Sequence, residues 1–257
     1  VGYFLEVRDK GGHSSLPVKE NAIYRLAGAL SRLSAYEFPV HLNEVTRAYL
    51  AHRAKTEAGS LASDLSKSLA TPPDAPAIAR LSSTSPYFNA LFRTTCVATM
   101  LEAGHAPNAL PQLARATVNC RILPGETPDE VLAVLRRVVD DEHVAARIDP
   151  TWGVVEASPA SPLRDDVLAA VAQARSALWP GAAVVPVMET GATDGFFLRR
   201  AGIPTYGISG VFIDMDDVRA HGRDERVSVS SFYEGLEFWV RLVRATAGGG
   251  SSGNLGK

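Results

Sequence analysis

The chain has 257 residues, with 26 basic and 28 acidic side chains that give a formal net charge of −2. This near-neutral balance gives no electrostatic reason to expect a nucleic acid or an anionic membrane surface as a partner. No apolar run approaches the ~18 residues that a membrane span needs. The two cysteines, Cys96 and Cys120, match neither a CxxC metal motif nor the framework of a small secreted domain, so we expect buried free thiols.

The first half of the chain alternates strand-like and helix-like segments. The run VGYFLEVRD, at residues 1–9, predicts a strand. We expect a helix after it, with Pro17 in the first turn, where a proline is well tolerated. Apolar side chains recur at helical spacing along this helix, at Ile23, Leu26, Leu30 and Leu33.

Two strands, a second helix and a last strand follow. From about residue 36 to 92 an Ala- and Ser-rich segment is predicted as a helical insertion. TTCVATML and ATVNCRIL then predict two strands, Thr127 is expected to cap a helix, and VAARIDPTW predicts the final strand. The resulting order, β-α-β-β-α-β, predicts a ferredoxin-like domain over residues 1–152. A fold of this kind does not by itself name a function.

The second half, residues 153–247, predicts an α/β alternation. It contains a helix over residues 165–178, the strand-like runs AVVPVM and PTYGIS, and a loop-to-helix turn, TGATDGFFLRRAG, between them. A last helix has Ser231 and Glu234 at capping-box spacing. Its predicted buried stripe consists of Phe232, Leu236, Trp239 and Val243. Residues 248–257 predict a flexible tail, so the whole chain is expected to be an α/β (α+β) protein.

Two histidines stand out by their neighbours. His13 lies in GGHSSLP next to Ser14, but neighbours on an extended chain point to opposite faces and form no local dyad. The chain has no G-x-S-x-G motif, which argues against a serine hydrolase. His221 lies in DVRAHGRDERV, where it is either a loop histidine held by Asp224 or Glu225, or a metal ligand.

The TGATDG turn also allows two interpretations. Its glycines flank Thr193 and Asp194 between a predicted strand and a predicted helix. The turn is either a plain helix N-cap or a binding site where backbone N–H groups hold a substrate carboxylate.

Four motifs together resemble the M20 family of zinc-dependent metallopeptidases, and most closely its carboxypeptidase S and aminoacylase-like branch. They are GGHSSLP, AGHAPNALPQLARATVNCRILPGET, METGATDGFFLRRAGIPTYGIS and HGRDERV, in this order. The resemblance covers nearly all of residues 1–246. Any one of the motifs is weak evidence, but their common order makes the set specific.

The resemblance implies roles for residues of the first domain. In this family a ferredoxin-like lid domain, which also dimerises, is inserted into the catalytic domain. His13 matches the lid histidine that reaches the active site of the partner subunit and binds the scissile carbonyl oxygen. Asn108 matches a substrate-contacting asparagine. Arg121 matches an arginine suited to the substrate carboxylate.

The resemblance also implies two zinc ions in each complete active site. Gly191 and Thr193 match the family's substrate-binding turn, and His221 matches its last zinc ligand. The family's H-x-D motif, bridging aspartate and Glu-Glu pair have no counterpart in this chain, so His221 cannot form the metal site alone. If the chain bound zinc by itself, further ligands would have to come from Glu189, Asp194, Asp224 and Glu225. We therefore expect the chain alone to be inactive.

The function that follows by resemblance is hydrolysis of peptide or N-acyl amino acid amide bonds next to a free carboxylate. The expected partners are the small substrate, a second copy through the lid domain, and the N-terminal half of the catalytic domain. The alternative is a non-catalytic dimerisation or binding module, because a ferredoxin-like sheet can pair edge to edge. An RNA-binding domain shares this strand order, but TTCVATML and ATVNCRIL lack its stacking aromatics.

Overall fold

The computed structural model of the protein describes residues 1–152, 158–214, 217, 219, 220 and 222–247. It contains two compact units, one formed by Val1–Ala160 with Val187–Ala201 and the other by Ser161–Pro186 with Gly202–Lys257. The predicted tail, residues 248–257, lies outside the described residues. The predicted domain boundary after residue 152 stays a prediction.

The first unit is built around an antiparallel sheet. Its strands, β1, β3, β5 and β6, stand in the order β3-β5-β1-β6, while β2 pairs with β4 in a separate two-stranded sheet. The strands are β1 Gly2–Arg8, β2 Gly12–His13, β3 Thr95–Ala103, β4 Ala109–Leu110, β5 Leu113–Arg121 and β6 Val144–Ile148. Helices α1 (Ala22–Ala35) and α6 (Pro128–Val139) share one core with the larger sheet. The predicted ferredoxin-like order is confirmed.

The core between the sheet and these helices follows from strand alternation. Tyr3, Leu5 and Val7 of β1 are buried, and so are the alternate residues Ala114, Ala116, Val118 and Cys120 of β5. Leu26 and Leu33 of α1 pack against them. Each fully buried leucine stabilises the fold by about 2 kcal/mol relative to an exposed one.

The two helices begin at capping residues. Thr127 and Glu130 form a capping box at α6, in which the Glu130 N–H donates to Thr127 Oγ1 at 3.2 Å. At α1, Asn21 Oδ1 accepts from the backbone N–H groups of Ile23 at 2.9 Å and Tyr24 at 3.1 Å. The cap predicted at Thr127 is confirmed. The prediction that Pro17 lies in the first turn of α1 is wrong, because Asn21 sets the start of that helix.

A disulfide joins Cys96 and Cys120, so the expectation of two free thiols is wrong. The two residues are directly opposite each other in the β3–β5 ladder, with their Cα atoms 4.1 Å apart. They are 24 positions apart in sequence, and only the strand register brings the two sulfur atoms together.

Four helices lie between α1 and β3. They are α2 Glu44–Thr56, α3 Gly59–Ser68, α4 Ala75–Thr84 and α5 Pro86–Phe92. Their buried side chains form a second apolar core, made of Leu50, Leu65, Ile78, Leu81, Phe88, Leu91 and Phe92. Helix α4 begins directly after the proline-rich loop, with Asp74 Oδ1 accepting from the Ala77 N–H at 2.8 Å.

The second unit contains α7 (Asp165–Ser176) and α9 (Val229–Ala247), whereas the short helix α8 (Gly195–Arg200) belongs to the first unit. The strands predicted at residues 183–188 and 204–209 do not form among the described residues. A strand requires a hydrogen-bonded neighbour, and the described part of this unit supplies none. None of the described helices is long and apolar enough to cross a membrane.

The buried face of α9 differs from the predicted stripe. The stripe of Phe232, Leu236, Trp239 and Val243 is 42 to 52% exposed. The buried residues are their immediate neighbours, Ser231, Gly235, Phe238 and Leu242. The predicted capping box is also wrong, because Ser231 lies inside the helix and its Oγ donates to the Phe212 carbonyl oxygen at 2.9 Å.

Three arginines surround the carboxylate of Glu6, on the sheet face opposite the helices. Arg115, directly across the ladder, donates from Nε at 2.8 Å and from Nη2 at 2.6 Å. Arg8 donates at 2.8 Å and Arg147 at 3.5 Å. Burial raises the pKa of Glu6, but the hydrogen bonds and charges of Arg115 and Arg8 outweigh burial and hold that pKa below its ordinary value.

We predict that Glu6→Gln lowers the free energy of unfolding by about 2 kcal/mol at neutral pH, because the charged hydrogen bonds are lost. Since the folded pKa lies below the unfolded value of about 4.3, the carboxylate's contribution is complete above that pH. It disappears as the pH falls through the folded pKa. Urea denaturation at several pH values should therefore show the two proteins converging in acid.

Glu142→Gln is the matched control, because the Glu142 side chain is 89% exposed. Equal losses for the two variants at neutral pH would contradict the role assigned to Glu6.

Candidate functional site

The small sheet of β2 and β4 brings two predicted site residues together. His13 pairs with Ala109, and Gly12 pairs with Leu110. The backbone N–H of Ser14 donates to the carbonyl oxygen of Asn108 at 2.9 Å. His13 and Asn108, which are 95 positions apart in sequence (108 − 13), therefore lie side by side at one end of this sheet.

Gly11, the residue before β2, occupies a position where a side chain would be unfavourable. Gly11 has a φ of +73°, which a side chain makes unfavourable. A Cβ atom at this position would lie 2.7 Å from Cγ of Gln112 and 3.2 Å from the Leu110 carbonyl oxygen. The GGH sequence thus lets the chain pass close to β4 and places His13 at the end of the pairing.

The His13 ring is exposed, and one of its nitrogens is engaged by its own turn. Nδ1 lies 2.8 Å from Oγ of Ser15, and the backbone N–H of Ser15 donates to Nδ1 at 3.1 Å. The carbonyl oxygen of His13 accepts from the Leu16 N–H at 3.0 Å, which closes the turn. The imidazole is therefore oriented by local contacts while it remains open to solvent.

A cleft of about 650 Å³ in the first unit brings three other predicted residues together. Arg121, Gly191 and Thr193 all line it. Much of the remaining wall is apolar and includes Leu123, Pro124, Trp152, Met188, Phe196 and Phe197. Within the described part of the chain, Arg121 forms no ion pair. The cleft therefore combines a guanidinium that forms no ion pair with a described residue, the acidic residues Glu126, Glu189 and Asp194, and a wide apolar surface.

The TGATDG turn opens α8 without a side-chain cap. The carbonyl oxygens of Thr193 and Asp194 accept from the N–H groups of Phe196 at 3.0 Å and Phe197 at 3.1 Å. Asp194 occupies the N-cap position, but its side chain makes no capping hydrogen bond. A plain N-cap would accept a hydrogen bond from a backbone N–H with its side chain, and Asp194 makes no such bond.

Glu126 is a cleft residue that the sequence motifs did not single out. Its Oε2 accepts from Thr94 Oγ1 at 2.6 Å, and its Oε1 lies 3.3 Å from Nδ1 of His41. Trp152 is a second such residue. The only local signal was their position, since Glu126 follows the turn that closes a predicted strand and Trp152 is the last residue of VAARIDPTW, the run that predicts the final strand.

The described residues do not fit a zinc site. Among residues 1–152, 158–214 and the described positions beyond them, no three His, Cys, Asp or Glu side chains are grouped to hold a metal ion. Asp224, one of the alternative ligands, forms an ion pair with Arg219. His221, the predicted ligand, lies outside the described residues.

The predicted site residues thus fall into two groups in the first unit. His13 and Asn108 are joined by β2 and β4. Arg121, Gly191 and Thr193 line the cleft, and neither residue of the first group is among its lining residues.

Comparison of the sequence with curated proteins finds several relatives of this chain. Human N-fatty-acyl-amino acid synthase/hydrolase PM20D1 is 31% identical over 253 residues, which cover 95% of this chain and 48% of the human protein. Probable carboxypeptidase S-like 2 of Dictyostelium discoideum is 27% identical over 245 residues, covering 94% of this chain and 46% of that protein. The chain thus spans about half the length of these relatives.

Two solved structures share the fold. The M20 family metallo-carboxypeptidase Sso-CP2 of Sulfolobus solfataricus superposes with a TM-score of 0.59 at 17% identity, covering 95% of this chain and 57% of that one. Human carnosine dipeptidase 1 superposes with a TM-score of 0.56 at 14% identity, covering 96% of this chain and 54% of that one. At these identities the likeness concerns the fold alone.

The family model for the peptidase dimerisation domain matches residues 1–147, which is more than half of the chain. That range contains the ferredoxin-like sheet except for Ile148, the last residue of β6, together with His13, Asn108 and Arg121. The chain therefore belongs to the M20 peptidase family, and residues 1–147 are its dimerisation domain.

Proposed function

We propose that this chain is part of a metallohydrolase that cleaves the amide bond of N-acyl amino acids or of peptides with a free C-terminal carboxylate. The observation that carries the proposal is the cleft, in which Arg121 forms no ion pair with any residue that the structure describes and lies beside apolar walls. An N-acyl amino acid combines the same two properties, since it has one carboxylate and an apolar acyl chain. The names of the human and Dictyostelium relatives agree with this substrate class.

Arg121 and the turn that contains Gly191 and Thr193 bind the substrate carboxylate in this proposal. The guanidinium offers paired N–H donors whose geometry matches a carboxylate. Apolar residues such as Trp152 and Phe197 contact the acyl group or the adjoining side chain. Binding at both ends of the substrate fixes the position of the amide carbonyl relative to the cleft.

His13 and Asn108 act in the active site of the partner subunit. A ring N–H of His13 donates to the carbonyl oxygen of the amide and stabilises the negative charge that develops there during hydrolysis. Asn108 contacts the same substrate from the neighbouring strand. Neither His13 nor Asn108 lines the cleft of its own subunit, which supports this assignment.

Zinc dependence and a second half of the catalytic domain belong to the same proposal. The metal ligands would come largely from that second half, because the described residues do not fit a zinc site. Helix α9 buries one face and leaves Phe232, Leu236 and Trp239 exposed on another. An exposed apolar face of this kind is typical of a surface that another polypeptide covers. We propose that the second half covers this face.

The substrate assignment is tested by hydrolysis of a panel of N-acyl amino acids, with the chain combined with the second half of its catalytic domain. We predict that Arg121→Ala raises KM by about 10- to 100-fold, because it removes charged hydrogen bonds worth ~1.5–3 kcal/mol. Arg121→Lys should recover part of this loss.

The matched control is the corresponding substrate in which a neutral amide replaces the free carboxylate. Arg121→Ala should leave KM for that substrate unchanged. Equal effects on the acid and on its amide would contradict carboxylate binding, and a complex inert towards the whole panel would contradict the proposed function.

The position of His13 in the partner's site is tested by mixing two impaired variants and assaying them at a substrate concentration far below KM, where Arg121→Ala has little activity. His13→Ala and Arg121→Ala dimers are mixed under conditions where subunits exchange. If His13 acts across the dimer, each mixed dimer contains one site with both residues intact, and we expect about a quarter of wild-type activity. If His13 acted within its own subunit, every site would lack one residue and mixing would restore nothing.

The homodimer is expected to form along β3, an edge strand of the larger sheet. Its side chains include Val97, Met100 and Leu101, which are 60%, 59% and 64% exposed. We predict that Leu101→Asp converts the dimer into a monomer in sedimentation equilibrium, because a charge would be buried in the interface. Ile23→Asp, on the exposed side of α1, is the control that should remain dimeric. A wild-type chain that stays monomeric at all concentrations would contradict the assignment.

A further inference from the structure

The contacts between Ser15 and the His13 ring point to a positioning residue for the proposed reaction. We propose that Ser15 holds the neutral imidazole of His13 in the tautomer that has its proton on Nε2, and fixes the direction in which that N–H points. The catalytic consequence of this inference rests on the proposed function. Its structural part concerns only His13 and Ser15 and can be tested separately.

The tautomer follows from which group can donate. The backbone N–H of Ser15 lies 3.1 Å from Nδ1 of His13 and can only donate a hydrogen bond. Nδ1 must therefore accept and carries no proton in the neutral ring. A neutral imidazole has one N–H group, so the proton is on Nε2.

The hydroxyl of Ser15 adds a second contact to the same nitrogen. Its Oγ lies 2.8 Å from Nδ1. A hydroxyl is both donor and acceptor, so it donates to Nδ1 of the neutral ring and accepts from Nδ1–H of the protonated ring. The hydroxyl contact can thus persist when the ring is protonated, whereas the contact with the Ser15 backbone N–H requires the neutral ring with an unprotonated Nδ1.

This arrangement matters because of where the ring lies. The His13 side chain is exposed at the end of a two-stranded sheet, and no buried neighbour restricts its rotation. Of the two nitrogens, Nδ1 faces the turn, and only Nε2 can reach another molecule. The opposite tautomer would present an acceptor to a substrate carbonyl oxygen and would repel it.

The test is nitrogen NMR of the imidazole rings in the intact chain labelled with ¹⁵N-histidine, recorded at about pH 8, well above the pKa of a model imidazole. The chain has six histidines, and His13 is assigned by the signals that disappear in His13→Gln. In the wild type we expect a protonated Nε2 and an unprotonated Nδ1 whose chemical shift is displaced by hydrogen bonding. Ser15→Ala keeps the backbone N–H and loses only the hydroxyl, so the Nδ1 shift should move part of the way towards that of a solvent-exposed ring.

Two further variants separate positioning from general disturbance of the loop. Ser15→Thr retains the hydroxyl and should retain the wild-type spectrum. Ser14→Ala alters the neighbouring side chain and should leave the His13 signals unchanged. A wild-type spectrum with the proton on Nδ1, or identical Nδ1 shifts in wild type and Ser15→Ala, would overturn the inference.

Kinetics of the assembled enzyme then distinguish the two proposals. We expect Ser15→Ala to lower kcat about tenfold with KM unchanged, and Ser15→Thr to restore kcat, since positioning of a donor acts on the transition state. If the NMR result is as expected but His13→Ala leaves kcat unchanged, the role of His13 in the proposed function fails while the tautomer assignment stands. If His13→Ala is inactive but Ser15→Ala has wild-type kcat, the catalytic role of Ser15 is refuted.

Discussion

Strand β5 is the element on which the rest of the first unit depends, because it is hydrogen-bonded along both edges. Its register with β1 sets Ala114, Ala116 and Val118 against the helices, and its register with β3 sets Cys120 opposite Cys96. The same strand ends at Arg121 in the cleft and begins three residues after β4, which holds His13 beside Asn108. A slip of one residue would exchange the two faces of β5 and displace both groups of site residues at once.

Alternation and capping are local signals, and the parts of the fold that rest on them could be predicted from the sequence. Two strands of the larger sheet can be recognised in this way, because β5 buries alternate residues and β1 directs Tyr3, Leu5 and Val7 into the core. The start of α6 can be predicted because Thr127 is a typical capping residue directly before the helical pattern, and the structure adds Glu130 as its capping-box partner. In each case the residues that make the structure are close together in the chain, and periodicity or spacing is enough to recognise them.

Other features depend on contacts between distant residues, and local patterns do not encode them. Helix α9 is apolar on two faces, so helical periodicity cannot decide whether Phe232 or Phe238 is buried, and contact with Trp179 in its own unit decides for Phe238. The pairing of Cys96 with Cys120 requires a strand register. The proximity of His13 to Asn108 requires the β2–β4 pairing. Motif resemblance supplied both of these residues, but it did not supply their geometry or the contact between His13 and Ser15.

The exposure of His13 constrains how it can contribute to catalysis. A hydrogen bond from an imidazole in water to a carbonyl oxygen contributes little, because the water molecules it replaces bind about equally well. The same bond becomes strong once solvent is excluded and the donor is already oriented. Its own turn supplies the orientation, through the two contacts with Ser15. Exclusion of solvent must come from another surface, and the proposed insertion of His13 into the partner's cleft would supply it. In the proposed mechanism, the dimer and the orientation of one histidine are thus two requirements of the same step.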